Sequence, residues 1–503
     1  PVSRAIGQTI LRRRRQADAL GALQRLRIVA AVLQRCAGDA DEGAVVVAVD
    51  ERGAGGISMV KWLSYLGAHL SLADSRANPP NQNFLDDFIP HQKRFSGHFD
   101  LKLLENIDAI AISPGVPLAE AFVQEAIKRN IPVFGDIELF ALALNQLNQP
   151  KPIILAITGS NGKTTVTSMV GDMVKAAGWD VEVAGNIGPA VLKVLLQRLS
   201  TRKLPQCWVL ELSSFQLETT QTLFADSAVV LNISEDHFDR YDDLDDYAAA
   251  KARIFISGTH STQILNRDDP NVLAMALPDK KQVTFGLSKP SRDVDFGLLE
   301  FGSALWLVEG KRRLLKADML KIPGMHNVAN ALAALALCRS VGLPHEPLVD
   351  ALLKFRGLPH RMQKIATIQG VDYYDDSKST NVGSAIAALN GMKGNIVLIA
   401  GGDGKGQDFS PLIEPIKQYV RALVLLGRDA EKISQAIKGA AKPIHHVSTM
   451  EDAVRLSFLL AKPNDMVLLS PACASLDMFR NYIHRAEVFT AAVKELESKG
   501  ISL

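Results

Sequence analysis

The sequence predicts an α/β protein of three domains, and three observations predict it. The chain has 503 residues, which at roughly 100–200 residues per domain makes about three units. From Ala44 onward, short apolar β-rich runs alternate with helical stretches, the pattern of βαβ units. Midway, Gly159-Ser160-Asn161-Gly162-Lys163-Thr164-Thr165 follows an apolar strand and opens a helix. Such a loop cradles phosphate, because glycines let backbone N–H groups approach an anion at a helix N-terminus. Rossmann-like N- and C-terminal domains are therefore expected on either side of a central P-loop ATPase-type domain with a mainly parallel sheet.

Residues 1–42 are rich in Arg and Ala, with helical periodicity at Leu20, Leu23 and Leu26, and form an extension of unknown role. The first domain, 43–149, has expected strands at Val45–Val49, Ala109–Ser113 and Val133–Phe134, and helices at Ser58–Gly67 and Leu118–Arg129. The polar stretch Asn145–Pro152 has linker composition. The central domain, 150–355, carries strands at Ile153–Ile157, Trp208–Leu212 and Ala228–Ile233, each ending in polar residues, where open α/β sheets place their sites. A helix over Asn327–Val341 follows, and Phe355-Arg356-Gly357-Leu358-Pro359 marks a second hinge. The last domain, 356–503, repeats the pattern with strands at Ile396–Ala400, Ala422–Leu426 and Met466–Leu469.

Composition narrows the function. The formal charge is +2, with 56 basic against 54 acidic residues, so no single-sign field points to nucleic acid. Arg12–Arg15 reads as a solvated cluster. Cys36, Cys207, Cys338 and Cys473 are scattered without a CxxC pair, so neither a zinc site nor a disulfide framework is expected. No apolar run approaches the roughly 18 residues of a membrane span; Ile28–Leu33 is short and flanked by arginine.

Several residues carry chemistry. Lys163 adds a point charge to the phosphate loop, and Thr164 offers a hydroxyl to Mg²⁺. The general P-loop pattern has glycine where Ile157 stands, so this loop is a shorter form. Glu211 ends a hydrophobic strand, a position for a metal carboxylate, although a helix-capping role is an equal reading on sequence alone. His237 stands among carboxylates beyond another strand and suits a metal-bound phosphate. Periodicity assigns Lys251 to a solvated helix face.

The strings TGSNGKTT (158–165), ELSSFQLETT (211–220), NISEDHFDRY (232–241), DDSKSTNVGS (375–384) and LLSPACASLDMF (468–479) together resemble the Mur ligase family, over about Ala44 to the C-terminus. The resemblance implies an ATP-dependent amide ligase that phosphorylates the terminal carboxylate of UDP-N-acetylmuramoyl-L-alanine. The D-glutamate amine then attacks the acyl phosphate. It implies ATP, two Mg²⁺ ions and a carbamate formed on Lys251 by CO₂, with Thr164, Glu211, His237 and carbamylated Lys251 holding metal. Lys163, His237 and Lys251 become the catalytic set. ATP falls to Gly159, Ser160, Asn161, Gly162, Lys163, Thr164, Thr165, Asn327, Asn330, Arg361 and Asp376, the last two reaching across on domain closure. The nucleotide sugar falls to Gly53, Ala54, Gly55, Asp74, Ser75, Arg76, Ser113, Gly115, Asn186 and His237. D-Glutamate falls to His360, Lys378, Thr380, Lys405, Ser475 and Tyr482, where some relatives have phenylalanine. A cytoplasmic monomer engaging neither nucleic acid nor membrane is implied.

The turn Asp50-Glu51-Arg52-Gly53 departs from the family, which has glycine where Glu51 stands; two carboxylates near a diphosphate are unfavourable. Three other readings compete. A nicotinamide-dependent oxidoreductase requires GxGxxG, but the register from Gly53 and Gly55 meets Ser58. A nucleotide-binding switch leaves Lys378, Thr380 and Lys405 unexplained. A folylpolyglutamate-type ligase shares the short loop, but not ELSSFQLETT or SPACASLDMF.

Overall fold

A computed structural model describes residues 44–49, 55–77, 79, 85–147, 150–256, 261–392 and 394–499. The 1–42 extension and the Asp50–Ala54 turn, including Gly53 and Ala54, lie outside the described residues.

The first sheet is wholly parallel. Its strands β1 (Ala44–Val49), β2 (His69–Asp74), β3 (Arg94–Ser96), β4 (Ala109–Ile112) and β5 (Val133–Phe134) lie in the order β3-β2-β1-β4-β5. Near-continuous valine and isoleucine in β1 and β4 suit strands covered on both faces. Helices α1 (Gly55–Tyr65), α2 (Ala121–Lys128) and α3 (Asp136–Gln146) cover it. α1 begins earlier than the expected Ser58–Gly67 and ends before Gly67, which takes the left-handed region at φ 84°. α2 starts later than Leu118, since Pro117–Glu120 closes a turn through Glu120 N to Pro117 O.

The second sheet places the phosphate loop. Strands β6 (Ile153–Thr158), β7 (Val181–Gly185), β8 (Cys207–Glu211), β9 (Ser227–Val230), β10 (Thr262–Asn266) and β11 (Lys281–Phe285) form a parallel sheet ordered β11-β10-β9-β6-β8-β7. β6 is central, so the loop after it faces residues leaving β8 and β9. This is the topological switch point where open α/β sheets bind ligands. Its helices include α4 (Lys163–Ala176), α5 (Val191–Ser200), α6 (Ser214–Thr219) and α7 (Leu244–Ala252). An antiparallel three-stranded sheet of β12 (Phe296–Phe301), β13 (Ala304–Glu309) and β14 (Arg312–Lys316) follows, then α8 (Met325–Ser340) and α9 (His345–Lys354). The sequence reading identified neither β7, β10 and β11 nor this small sheet.

The third sheet, ordered β15-β16-β20-β17-β18-β19, comprises β15 (Gln363–Ile368), β16 (Val371–Asp375), β17 (Ile396–Ala400), β18 (Val420–Leu425), β19 (Ile444–His446) and β20 (Met466–Leu469). Only β15 runs antiparallel to its neighbour. α10 (Val382–Gly391) and the terminal helix α11 (Tyr482–Lys499) pack around it.

Candidate active site

The phosphate loop is shaped by two glycines. Gly162 caps α4 at φ 85°, and a Cβ there would stand 2.5 Å from Asn330 Oδ1. Gly159 lies at φ 151° against Leu231, so a side chain at either position would displace the loop. Ser160 Oγ donates to Ser234 O at 3.0 Å, and Asn161 N donates to Asn232 Oδ1 at 2.8 Å, fastening the loop to the segment after β9. Lys163 Nζ donates to Gly159 O at 2.8 Å and Ser160 O at 3.0 Å. Burial lowers the Lys163 pKa, which Glu211 and Asp236 push back up.

Three further groups converge on this edge. Glu211 is buried at the end of β8; its Oε1 accepts from Asn186 Nδ2 at 2.8 Å, while Oε2 has no protein partner. His237 sits at φ 60° with Nδ1 unpartnered, its nearest carboxylate oxygen on that side being Asp239 Oδ1 at 4.0 Å. Burial is the leading cause holding the His237 imidazole down at about 4, so it is neutral at physiological pH. Lys251 corrects the solvated-face expectation: it is 1% exposed. Its Nζ donates to Gly159 O at 3.0 Å and lies 4.5 Å from the Tyr247 ring centre. Burial, then Lys163, holds this amine well below the ordinary lysine range.

An unpaired buried carboxylate oxygen and an unpaired imidazole nitrogen fit a cation. Among the described residues no three His, Cys, Asp or Glu side chains gather as a self-sufficient metal site. Mg²⁺ takes one or two carboxylates and completes its shell with water and phosphate oxygens.

One cleft of about 1800 Å³ joins these groups to the other two domains. Its wall includes Gly55 from the start of α1 and Gly115 from the loop after β4, and Thr164, Thr165 and Asn186 from the central domain. Asn327 and Asn330 line it from the start of α8, where Asn330 Nδ2 donates to Asn327 Oδ1 at 3.2 Å. From the last domain come His360, Arg361, Asp376, Lys378, Thr380 and Tyr482. Lys378 Nζ stands 3.8 Å from the Tyr482 ring centre. Burial, then Arg361, lowers Lys378 to about 8. Asp376 is pushed up to about 7 by burial, against a 2.9 Å hydrogen bond from Ser470 Oγ.

Other expected residues stand apart from the wall. Asp74 and Arg76 close on each other through a two-pronged pair at 2.8 and 2.6 Å. Ser113 is buried against Ala48 O, Ser475 is buried, and Lys405 is bound to Asp236. Ser75 follows β2 beside the Asp74–Arg76 pair.

Two residues escaped the sequence reading. Asp236 accepts from Lys405 Nζ and from Asn381 Nδ2, both of the last domain. Burial raises its pKa, but Lys405 and His237 prevail and leave it at about 2. Arg485 is 2% exposed, donating to Ser377 Oγ, Ser377 O and Cys473 O at 3.0, 2.8 and 3.1 Å. It ties together the loops after β16 and β20. Asp236 lay inside a recognised string; Arg485, on an ordinary helical pattern, gave no signal.

A phosphate loop at a parallel switch point, closed over by a third α/β domain bearing cationic groups, is the arrangement of the Mur ligases, and the chain belongs to that family. Residues 157–338 match the Mur ligase middle domain, 360–473 the Mur ligase glutamate ligase domain, and 45–135 the MurD-like N-terminal domain. Within the family it is similar to the UDP-N-acetylmuramoylalanine--D-glutamate ligase of Nitrosomonas europaea, 64% identical over 88% of this chain and 95% of that one. The enzyme of the same name from Thiobacillus denitrificans is 52% identical over 88% of this chain and 95% of its own. Among solved structures, UDP-N-acetylmuramate-alanine ligase of Thermotoga maritima shares the fold with a TM-score of 0.56 at 19% identity, covering 90% of this chain and 99% of that one. E. coli FolC in complex with DHPP and ADP follows at 0.52 and 17%, covering 72% and 92%. The fold is thus shared by proteins with different names.

Proposed function

We propose that this chain is an ATP-dependent, ADP-forming ligase joining D-glutamate to UDP-N-acetylmuramoyl-L-alanine in peptidoglycan precursor synthesis. The observation that carries the reading is the meeting of the phosphate loop, the unpartnered Glu211 Oε2 and buried Lys251 with Lys378 and Arg361 in one cleft. The names of relatives at 64% and 52% identity supply the substrates.

In this reading 43–149 binds the nucleotide sugar, 150–355 binds ATP, and 356–503 binds D-glutamate and closes on ATP. The backbone of Gly159–Thr165 and the Lys163 charge hold the triphosphate, with Asn327 and Asn330 toward the base. Arg361 and Asp376 meet the nucleotide from the opposite wall. The acceptor carboxylate oxygen attacks the γ-phosphorus, the bond to the β–γ bridging oxygen breaks, and ADP leaves. The D-glutamate amine then attacks the acyl carbon; phosphate leaves with the C–O bond electrons and the amine loses its proton. Preorganised cations at Lys163, Arg361 and Lys378 stabilise charge that develops in both steps. Neutral His237 and Asn186 orient the acceptor, while Lys378, Thr380, His360 and Tyr482 receive D-glutamate, backed by Lys405 and Ser475. Thr164, Glu211, His237 and a carbamate on Lys251 would hold Mg²⁺, which supplies charge neutralisation on phosphate oxygens. A neutral amine is what CO₂ requires: the nitrogen lone pair bonds the carbon and one proton is released. Gly55, Gly115 and the Asp74–Arg76 segment belong to the nucleotide-sugar side. A cytoplasmic monomer fits this reaction, and no helix among the described residues is long and apolar enough to cross a membrane.

The test is ADP release with UDP-N-acetylmuramoyl-L-alanine plus D-glutamate, against L-glutamate and against a folate acceptor. Turnover confined to the first pair is expected; equal turnover with a folate acceptor defeats the assignment. Lys251→Ala should lose at least about 100-fold in kcat and regain part of it with acetate or formate, since an added carboxylate replaces the missing one. Undiminished activity in that variant removes the carbamate.

A further inference from the structure

Arg240 occupies an unusual place. It belongs to the central domain, three residues after His237, yet its guanidinium gathers carbonyls from a single turn of the N-terminal domain. Nη1 donates to Pro114 O at 2.7 Å and Gly115 O at 3.4 Å, and Nη2 donates to Val116 O at 3.4 Å. The charge is balanced by Glu218 Oε2 at 2.6 Å, and both side chains are largely buried, at 9% and 14% exposure. Glu218 is itself fixed by Tyr241, whose hydroxyl donates to Oε1 at 2.6 Å.

This guanidinium also contacts the side chain that supports His237. It lies 4.1 Å from the Phe215 ring centre, and Phe215 meets the His237 ring edge-on at 4.8 Å between centres. Arg240 N donates to His237 O at 2.9 Å, helping fix the residue in its left-handed conformation. One side chain therefore touches both a wall of the nucleotide-sugar side and the support of His237.

We infer that Arg240 is a positioning residue for the acceptor: it sets the Pro114–Val116 turn at a fixed distance from His237 and turns that peptide's carbonyl dipoles away from the incoming diphosphate. The inference deepens the proposed function and rests on that reading's placement of the nucleotide sugar beside Gly55 and Gly115. The chemistry is specific to arginine. A planar fork serves several carbonyls and a carboxylate at once while its face stacks on an aromatic ring, which an ammonium group cannot do. An interdomain tie needs no such geometry, and the seam is already closed by Asp136 and Glu138, which accept from Gln216 Nε2 and from the Gln221 and Thr222 amides.

The experiment measures steady-state constants for all three substrates in wild type, Arg240→Gln, Arg240→Lys and Glu218→Gln. Arg240→Gln is expected to raise the KM for UDP-N-acetylmuramoyl-L-alanine about tenfold or more, because the turn loses the charge-assisted bonds that set its position. The KM for ATP and D-glutamate should stay within about twofold, as the proposed function places neither at the turn. Arg240→Lys should recover only part of the loss. Glu218→Gln, which keeps the guanidinium but removes its carboxylate, should give a smaller rise and serves if Arg240→Gln does not fold. An unchanged acceptor KM in these variants overturns the inference, as does an equal rise in all three constants. A wild-type protein that never turns over this acceptor instead defeats the functional reading.

Discussion

The central domain meets its two neighbours through seams of opposite character. Toward the N-terminal domain the contact is a continuous apolar core: Trp62, Phe134 and Phe140 share one buried cluster with Ile154, Leu192, Trp208 and Phe255. Toward the C-terminal domain, the buried clusters of the last sheet stay on their own side of Phe355–Pro359. There the joining groups are polar: Asn381 donates to Asn161 Oδ1 and Asp236 Oδ2, each at 3.1 Å, and Lys405 pairs with Asp236. Apolar area removed from water is lost all at once when a seam opens, whereas polar groups regain water as they part. The first seam should hold two domains as one body, and the second should permit hinge motion that brings the D-glutamate side onto ATP.

The largest test of this contrast is Trp208→Ala. Trp208 is fully buried and meets Phe140 edge-on at 4.9 Å between ring centres, across the seam. Its loss should cost about 3–5 kcal/mol. Calorimetry should show the N-terminal and central domains melting together at a lower temperature, with the C-terminal transition unmoved. Independent early melting of the N-terminal domain would break the idea of one body.

Asp236→Asn probes the polar seam and should have a smaller effect. It keeps the shape but removes the counter-charge of Lys405, a contact worth about 1.5–3 kcal/mol. Small-angle scattering should show a more extended particle, ligase turnover should fall about tenfold, and the melting temperature should hold within a few degrees. A compact particle with reduced turnover would place Asp236 in the chemistry instead of the seam.

Sequence periodicity made the strands legible where both faces are buried, as in β1, β6, β8 and β17, because a continuous apolar run leaves few alternatives. Strands β12–β14 escaped because their cross-strand partners mix Glu, Arg and Trp with Leu, a pattern typical of no single burial state. At the site, Lys163, Glu211 and His237 stood in distinctive strings. The burial of Lys251 was invisible to periodicity and implied only by the family resemblance, since tertiary packing is what turns one face of an alanine-rich helix onto the phosphate loop. Arg240 was legible as a letter of NISEDHFDRY, but the carbonyls it gathers lie more than a hundred residues earlier. Arg485 depends on two loops brought together by adjacent strands β16 and β20, which no local pattern encodes.

The smallest predicted effect concerns the charge that, in the proposed function, the C-terminal side brings to D-glutamate. Burial, then Arg361, lowers Lys378 to about 8, so its cation is the dominant form at pH 7 and half lost at pH 8. Receipt of a carboxylate needs the cation, and kcat/KM reports the free enzyme. For D-glutamate it should therefore carry an alkaline loss from Lys378 of about twofold between pH 7 and pH 8. The D-glutamate amine also titrates on the alkaline side, but it is common to every variant, so the comparison is made with Lys378→Arg. A guanidinium stays charged throughout, and the ratio of wild-type to variant kcat/KM should fall by that same factor across the interval. The profile for the nucleotide sugar, which the proposed function places on the N-terminal side of the cleft, should not share the inflection. A flat ratio would mean that Lys378 meets D-glutamate uncharged or not at all, and the polar seam would then close without delivering a cation to the substrate.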